Sequence, residues 1–238
     1  MVGTQGGPGD RYTCCHQSTT GRSATRSRGR PGGEGPASPS YGPQMVAFYA
    51  SMYYSACRPE EAVMLRRQDL QIPKEGWGKS LLSNTAPTAG AAWTDSGERR
   101  DRRKLKQRGD KEVRHVPCRP PLTALLHAHL DRHGTATDGR LFRGPNGGEV
   151  RDHTVARVWD RARKAALGDP EYTSVLAKRP YDLRHACVST WLAAGVPSSQ
   201  VAAWAGHSVA VLHQIYAKVV AGMEGEALVR IGRALGLE

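Results

Sequence analysis

No apolar run in this chain approaches the ~18 residues that a membrane-spanning helix needs, so an integral helical membrane protein is excluded. The N-terminus also lacks the apolar core of a signal peptide, and a cytoplasmic location is the expectation. Cysteine is sparse and badly arranged for cross-linking. The five residues Cys14, Cys15, Cys57, Cys118 and Cys187 are odd in number and form no C-x-x-C pair. A disulfide framework or a zinc knuckle is therefore not expected, in keeping with a reducing compartment. Residues 1–44 are poor in what builds a core: ten Gly and five Pro stand there against a single Val, Ile or Leu, which is Val2. Such a segment cannot bury enough apolar surface to offset its ordering entropy and reads as a disordered leader. The abrupt change of character at Met45 also fits a mis-set start codon.

Negative charge is likewise short. Across 238 residues, 34 Lys and Arg stand against 22 Asp and Glu, a formal charge of +12. A polyanion is the first partner to consider, although a basic but ordinary soluble protein has the same composition. Six of the eight residues 99–106 are basic, either as a solvated loop or as a phosphate-facing run.

From Met45 onward the periodicity is helical. Met45, Phe48, Tyr49, Met52 and Tyr53 follow i, i+3, i+4, i+7 spacing and predict a helix with one buried face. Pro59 suits the first turn of the next helix, with Glu60 and Glu61 at its positive end. Residues 68–118 read as irregular and β-like, with a hairpin turn over Arg108–Lys111 and a strand carrying Val113 and Val116. Leu122, Leu125, Leu126 and Leu130 mark a helix ended by His133-Gly134, and Val155, Val158, Trp159 and Ala162 mark another. Further helices are expected over about 182–194, 199–205, 208–220 and 224–235. The class is mostly α with a small antiparallel β-sheet (α+β), and the core from 45 onward is long enough to fold alone.

The richest segment runs from Arg179 to Tyr216. A helix ending at Gly195 and another beginning after Pro197 suggest helix–turn–helix, but that reading explains neither Arg58 nor Tyr216. Arg184 sits near the start of one helix, His207 at the start of another, and Tyr216 nine residues further on. The pattern D-L-R-H, A-G-V, Q-V-A, A-G-H-S and Tyr resembles the C-terminal signature of tyrosine recombinases. Cys57-Arg58-Pro59-Glu60-Glu61-Ala62 resembles the first arginine box of that phage-integrase family. Trp93-Thr94-Asp95-Ser96-Gly97, Val113-Arg114-His115-Val116-Pro117 and Asp138-Gly139-Arg140-Leu141-Phe142 are similar to stretches of actinobacterial integrases. The resemblance covers about residues 45–225, in order and with fitting spacings.

The resemblance implies a tyrosine-recombinase catalytic-domain fold over 45–221, after the leader 1–44 and before a C-terminal helix, 222–238, that docks in trans or, as the alternative, folds back onto its own core. It implies site-specific DNA recombination through a 3′-phosphotyrosine, with Tyr216 as nucleophile. The chemistry is coherent, since a covalent phosphotyrosine conserves the phosphodiester energy for rejoining. Planar guanidinium forks suit the charged non-bridging oxygens of the transition state, the role implied for Arg58 and Arg184. His207 would add a donor to the same phosphate. A hairpin lysine would protonate the leaving 5′-oxygen; Lys106 matches best and Lys111 is the alternative. Tyr181 stands where the family has His or Lys, and a phenol is a much poorer base near neutral pH, so Tyr181 is expected only to line the site. No metal or other cofactor is implied. The implied partner is double-stranded DNA, bound by a homo-tetramer that is monomeric when free, with no membrane involved.

Taken singly, each residue has a plain structural reading: Tyr216 as core, Arg184 in a buried ion pair, Arg58 on the surface, His207 as a cap. A type IB topoisomerase shares the chemistry, but the Gly206-His207-Ser208 to Tyr216 run resembles integrases more. Nothing in residues 1–44 matches the family's N-terminal clamp domain. The alternative is therefore a truncated, catalytically impaired integrase remnant that only binds DNA. If the positive charge serves DNA, the logarithm of duplex affinity must fall steeply and linearly with the logarithm of salt concentration. A nearly flat plot would remove the electrostatic account.

Overall fold

The computed structural model describes residues 41–85, 103, 104, 113–222 and 224–236. The sequence boundary at Met45 falls inside the first helix, α1 (Gly42–Ser55), which has a proline in its first turn. Pro43 needs no amide partner there, and its fixed φ pre-organises the turn. Tyr41, just ahead of the helix, donates its hydroxyl to the Arg143 carbonyl.

Helix α1 packs against four later helices, so its buried arc is broader than a single stripe. Met45, Ala47, Phe48, Ala50, Ser51, Met52 and Ser55 are all buried. Tyr53, expected on the apolar face, is instead 41% exposed. The small residues Ala47, Ala50 and Ser51 widen the buried arc, and Tyr53 falls beyond it. Phe48 meets Phe142 edge-on at 5.4 Å between centroids. Tyr49 stacks against Trp159 and donates to the Val155 carbonyl at 2.7 Å.

The chain leaves α1 through Ala56, which adopts a left-handed conformation (φ 50°, ψ 29°) and is fully buried. That turn delivers Arg58 to the start of α2 (Pro59–Met64). A 3₁₀ turn (Arg67–Asp69) leads into β1 (Leu70–Gln71), β2 (Gly78–Leu82) and, further along, β5 (Arg114–Cys118). These three strands form an antiparallel sheet in the order β1-β2-β5. Pro117 is tolerated because β5 is an edge strand of that sheet. A second antiparallel pair joins β3 (Asn84–Thr85) to β4 (Arg103–Lys104). The expected hairpin turn at 108–111 and most of the basic run at 99–106 lie outside the described residues.

The remaining helices are α3 (Pro120–His133), α4 (Asp152–Ala166), α5 (Asp169–Thr173), α6 (Asp182–Ala193), α7 (Ser198–Ala205), α8 (Val209–Ala221) and α9 (Glu224–Ala234). The short α5 has no counterpart in the sequence reading. It is tied to α4 by Arg163, whose guanidinium donates to the Tyr172 and Leu176 carbonyls. The architecture is mostly helical with a small antiparallel sheet, as the sequence implied. None of the described helices is long and apolar enough to cross a membrane.

Helix α9 differs from the others. Leu228, Ile231 and Leu235 on its apolar stripe are 62%, 54% and 67% exposed. Its Arg230 guanidinium lies against the backbone of Gly195, where a Cβ would fall 1.7 Å from it. A helix holding so little apolar area in the core contributes little to folding. Deleting residues 222–238 is expected to leave helical circular dichroism and a cooperative thermal transition, with a small shift in midpoint. Loss of the cooperative transition would place α9 in the core.

Candidate active site

Two helix ends and one edge strand assemble a cluster of three arginines around one carboxylate. Arg58 is the N-cap of α2, and Glu61 is the third residue of that helix. The Glu61 carboxylate accepts the Arg58 backbone N–H at 2.8 Å and Arg58 Nη1 at 2.8 Å. Its Oε2 also accepts Arg114 Nη2 at 2.6 Å, from strand β5. A carboxylate at a helix N-terminus is favoured by unpaired backbone donors. Here it is also almost fully buried, at 1% exposure.

The opposite wall is the C-terminal end of α7, where carbonyls have no intrahelical donor. Arg58 Nη2 donates to the Gly206 carbonyl at 2.7 Å, and Arg114 Nη1 to the Ala205 carbonyl at 3.2 Å. Arg184, the third residue of α6, donates Nη2 to the same Ala205 carbonyl at 2.5 Å and Nη1 to the Ala56 carbonyl. Gly206 is left-handed at φ +66°, and a Cβ there would fall 2.0 Å from Arg114 Nη1 and 3.2 Å from Arg58 Nη1. Glycine is required twice at this position, for its backbone angle and for the passage of a guanidinium.

The electrostatics follow from this packing. Burial alone would raise the Glu61 carboxyl, but Arg114, Arg58 and Arg184 together outweigh it and hold it below the usual carboxylate range. Three guanidiniums and one carboxylate leave a local excess of two positive charges. His207 lies in the turn between α7 and α8 rather than in the first turn of α8, and its N–H is bound to the Ala202 carbonyl. Ser208 instead caps α8, accepting the Val211 N–H. Both His207 ring nitrogens are buried and without a partner among the described residues. Burial first, then Arg184, Arg58, Arg114 and His185, lowers His207 to about 4. A neutral imidazole with a free donor therefore faces the arginine cluster near neutral pH.

Tyr216 stands at a break in α8, with non-helical angles of φ −112° and ψ 19°. It is only 4% exposed. Its hydroxyl lies 2.8 Å from His185 Nδ1, and burial raises the phenol to about 12. The His185 ring contacts the Tyr216 ring at 5.8 Å and the Tyr181 ring at 5.1 Å. The Tyr181 ring in turn lies 6.0 Å from the Arg184 guanidinium carbon. Arg58, Tyr181, Arg184, His207 and Tyr216 are thus brought to one place, while Lys106 and Lys111 lie outside the described residues. One feature departs from expectation. Arg184 is fully enclosed, with 0% exposure and its Nη groups on backbone carbonyls, whereas the Arg58 side chain is 26% exposed.

Three members of the cluster were not singled out by their sequence. Arg114 shares the inward face of β5 with Val116 and Cys118, so a charge in phase with apolar positions was the available signal. Glu61 stands in the sequence as a first-turn acid and as part of the first arginine box, but its buried pairing with Arg114 has no local signal. His185 was visible as the residue after Arg184, with nothing local to pair it with Tyr216.

No protein-family model matches the sequence, and no curated protein matches it. Solved structures with the same fold are found. The Tn1549 transposon integrase in complex with transposon right end DNA is 18% identical with a TM-score of 0.58, over 78% of this chain and 59% of that one. The site-specific recombinase XerH, bound to its palindromic difH substrate in a post-cleavage complex, is 16% identical with a TM-score of 0.54, over 76% of this chain and 44% of that one. The XerA recombinase is 19% identical with a TM-score of 0.50, over 81% of this chain and 56% of that one. The fold is that of the tyrosine-recombinase catalytic domain. The chain spans about half the length of these structures.

The buried network makes a stability prediction. Glu61→Gln removes the only carboxylate that the described contacts give Arg58 and Arg114. Breaking a buried pair in this way costs about 3–5 kcal/mol, to be read by urea unfolding at neutral pH. Because the folded carboxyl lies below its ordinary value of 4.5, its contribution is complete above that value and is lost as pH falls through the folded one. The gap between wild type and variant must therefore narrow in acid. Equal stability at neutral pH would show that Glu61 does not hold the cluster.

Proposed function

We propose that this chain cleaves and rejoins duplex DNA through a 3′-phosphotyrosine intermediate, as a tyrosine-type site-specific recombinase. The observation that carries the reading is the excess of two positive charges, beside a tyrosine whose hydroxyl is already hydrogen-bonded to an imidazole. A phosphodiester in flight carries its charge on non-bridging oxygens, and guanidiniums fixed by a buried carboxylate need no reorganisation to meet it. Arg58 presents the accessible guanidinium. Arg114 and Arg184 supply field from beneath, and the unpartnered His207 ring offers a further donor. Lys106 would protonate the leaving 5′-oxygen, with Lys111 the alternative. The fold's solved relatives include an integrase and a recombinase bound to DNA, which agrees with a DNA substrate. A homo-tetramer on DNA, linked in trans by the exposed stripe of α9, fits the same reading.

A second reading is favoured by the enclosure of Arg184 and Tyr216: a remnant that binds DNA without cutting it. A pool of nicked duplexes of randomised sequence separates the two, because a nick next to the cleavage site lets the short product diffuse away and traps the covalent complex. Wild-type protein is expected to yield a denaturant-resistant protein–DNA band, and Tyr216→Phe none, with duplex affinity nearly unchanged. A band that persists in the Phe variant would assign the nucleophile elsewhere; no band with wild type would favour the remnant.

A further inference from the structure

We infer that His185, through Nδ1, takes the proton of Tyr216 as the phenolic oxygen attacks the scissile phosphorus. The inference rests on the recombinase reading above and assigns the step that reading leaves open, since Tyr181 occupies the position where a base would be expected.

The geometry singles out one acceptor. Nδ1 lies 2.8 Å from the Tyr216 oxygen, within the range for proton transfer. No other hydrogen-bond acceptor for that hydroxyl is found among the described residues. A phenol held protonated donates its only proton, so the neutral imidazole accepts at Nδ1 and carries its own hydrogen on Nε2. His185 belongs to α6, one residue after Arg184, and its ring is clasped between Tyr181 and Tyr216. Tyr181 reaches no such position: its ring faces His185 and the Arg184 guanidinium.

The charges around His185 keep it available. Burial acts first and lowers its pKa, Asp182 opposes, and Arg184 and Arg179 lower it further. Tyr181 and Asp182 face it from its own helix, Arg179 from the preceding turn, Tyr216 from α8 and His207 from the α7–α8 turn. The imidazole is accordingly neutral at pH 7, with a lone pair to offer.

The step balances without a further reagent at the nucleophile. The Tyr216 O–H bond breaks and its proton passes to Nδ1, while the phenolic oxygen forms a bond to phosphorus. The P–O5′ bond breaks, and the departing 5′-oxygen takes a separate proton from the general acid. On rejoining, the 5′-hydroxyl attacks and gives its proton back to the deprotonated general acid, and imidazolium His185 returns its proton to the departing Tyr216 oxygen. Nucleophile activation and leaving-group protonation are thus served by different residues, as suits an in-line displacement in which attack and departure occur on opposite sides of phosphorus.

The test is single-turnover trapping of the randomised nicked-duplex pool across pH, with wild type, His185→Gln and His185→Ala. The wild-type rate is expected to fall on the acid side as His185 gains a proton, with a midpoint below the ordinary histidine value. His185→Gln should lose roughly a hundred- to ten-thousand-fold in rate and with it that acid limb, while retaining duplex affinity. Free imidazole should restore part of the rate to His185→Ala, a rescue that a merely misfolded variant would not show. Wild-type trapping with an unchanged rate and pH profile in His185→Gln would overturn the inference and leave the recombinase reading standing. Loss of rate without rescue, together with an intact acid limb in the residual activity, would also overturn it. Absence of trapping by wild type would overturn both, even if nitrogen NMR of His185 placed its proton on Nε2.

Discussion

One buried carboxylate holds the site together. Glu61 is the counter-charge for two guanidiniums, and its position on the first turn of α2 fixes where they go. At an effective dielectric near 20, a pair at 4 Å is worth about 4 kcal/mol, and like-charge pairs are opposed on the same scale. Three guanidiniums brought this close would otherwise separate. One donor from each also meets a carbonyl at the end of α7, where the backbone has acceptors to spare and the helix dipole is negative. The cluster is therefore held between the start of one helix and the end of another. Because α2 follows directly on α1, the left-handed Ala56 turn sets the reach of Arg58, and the buried core of α1 is its anchor.

That arrangement explains which parts of the site could be read in sequence and which could not. Arg58-x-x-Glu61 is local: cap and third residue meet within one helical turn, so spacing alone brings them together. Arg184 and His207 fall at helix boundaries signalled by Pro180 and Gly206, while Tyr216 lies at a break inside α8. Their order along the chain could be recognised, but their contacts could not. Arg114 comes from a strand, at a sequence distance over which no periodicity speaks. Its partners lie on α2 and at the end of α7, and only the fold joins these. The pairing of His185 with Tyr216 is of the same kind. The boundaries moved least where Pro and Gly mark them, as at α3 and α7. The apolar stripe of α1 left out its small buried residues, and α5, tied to α4 through Arg163, had no counterpart in the sequence at all.

Burial supplies order here and withholds reactivity. Enclosing Tyr216 raises its phenol to about 12 and keeps it protonated at neutral pH. Enclosing His185 and His207 among cations lowers both and keeps them neutral. On the recombinase reading proposed above, the packing that fixes Tyr216 also makes a free phenolate inaccessible, so ionisation and attack would occur together. A neutral acceptor already hydrogen-bonded to the hydroxyl is what such a concerted step needs. The positive excess cannot serve instead, because Arg184 lowers the phenol by less than burial raises it.

If the proposed reading holds, the cluster also constrains how a phosphate would bind. Arg58 is partly open to it, but both Arg184 Nη groups are engaged with the Ala56 and Ala205 carbonyls, and its Nε is buried without a partner. An unsatisfied buried donor is unfavourable, and a dianionic transition state is an acceptor strong enough to compete with neutral carbonyls. Direct contact with Arg184 therefore requires the turn at Gly206 or the Ala56 bend to yield. Both are left-handed backbone positions, and both bear on the carbonyls that now hold the guanidinium. His207 and α8, with Tyr216 at its break, follow immediately on Gly206. On that reading, a small movement of this turn, driven by the phosphate charge, would shift arginine, imidazole and Tyr216 together, so that engaging the substrate and positioning the tyrosine would become a single event.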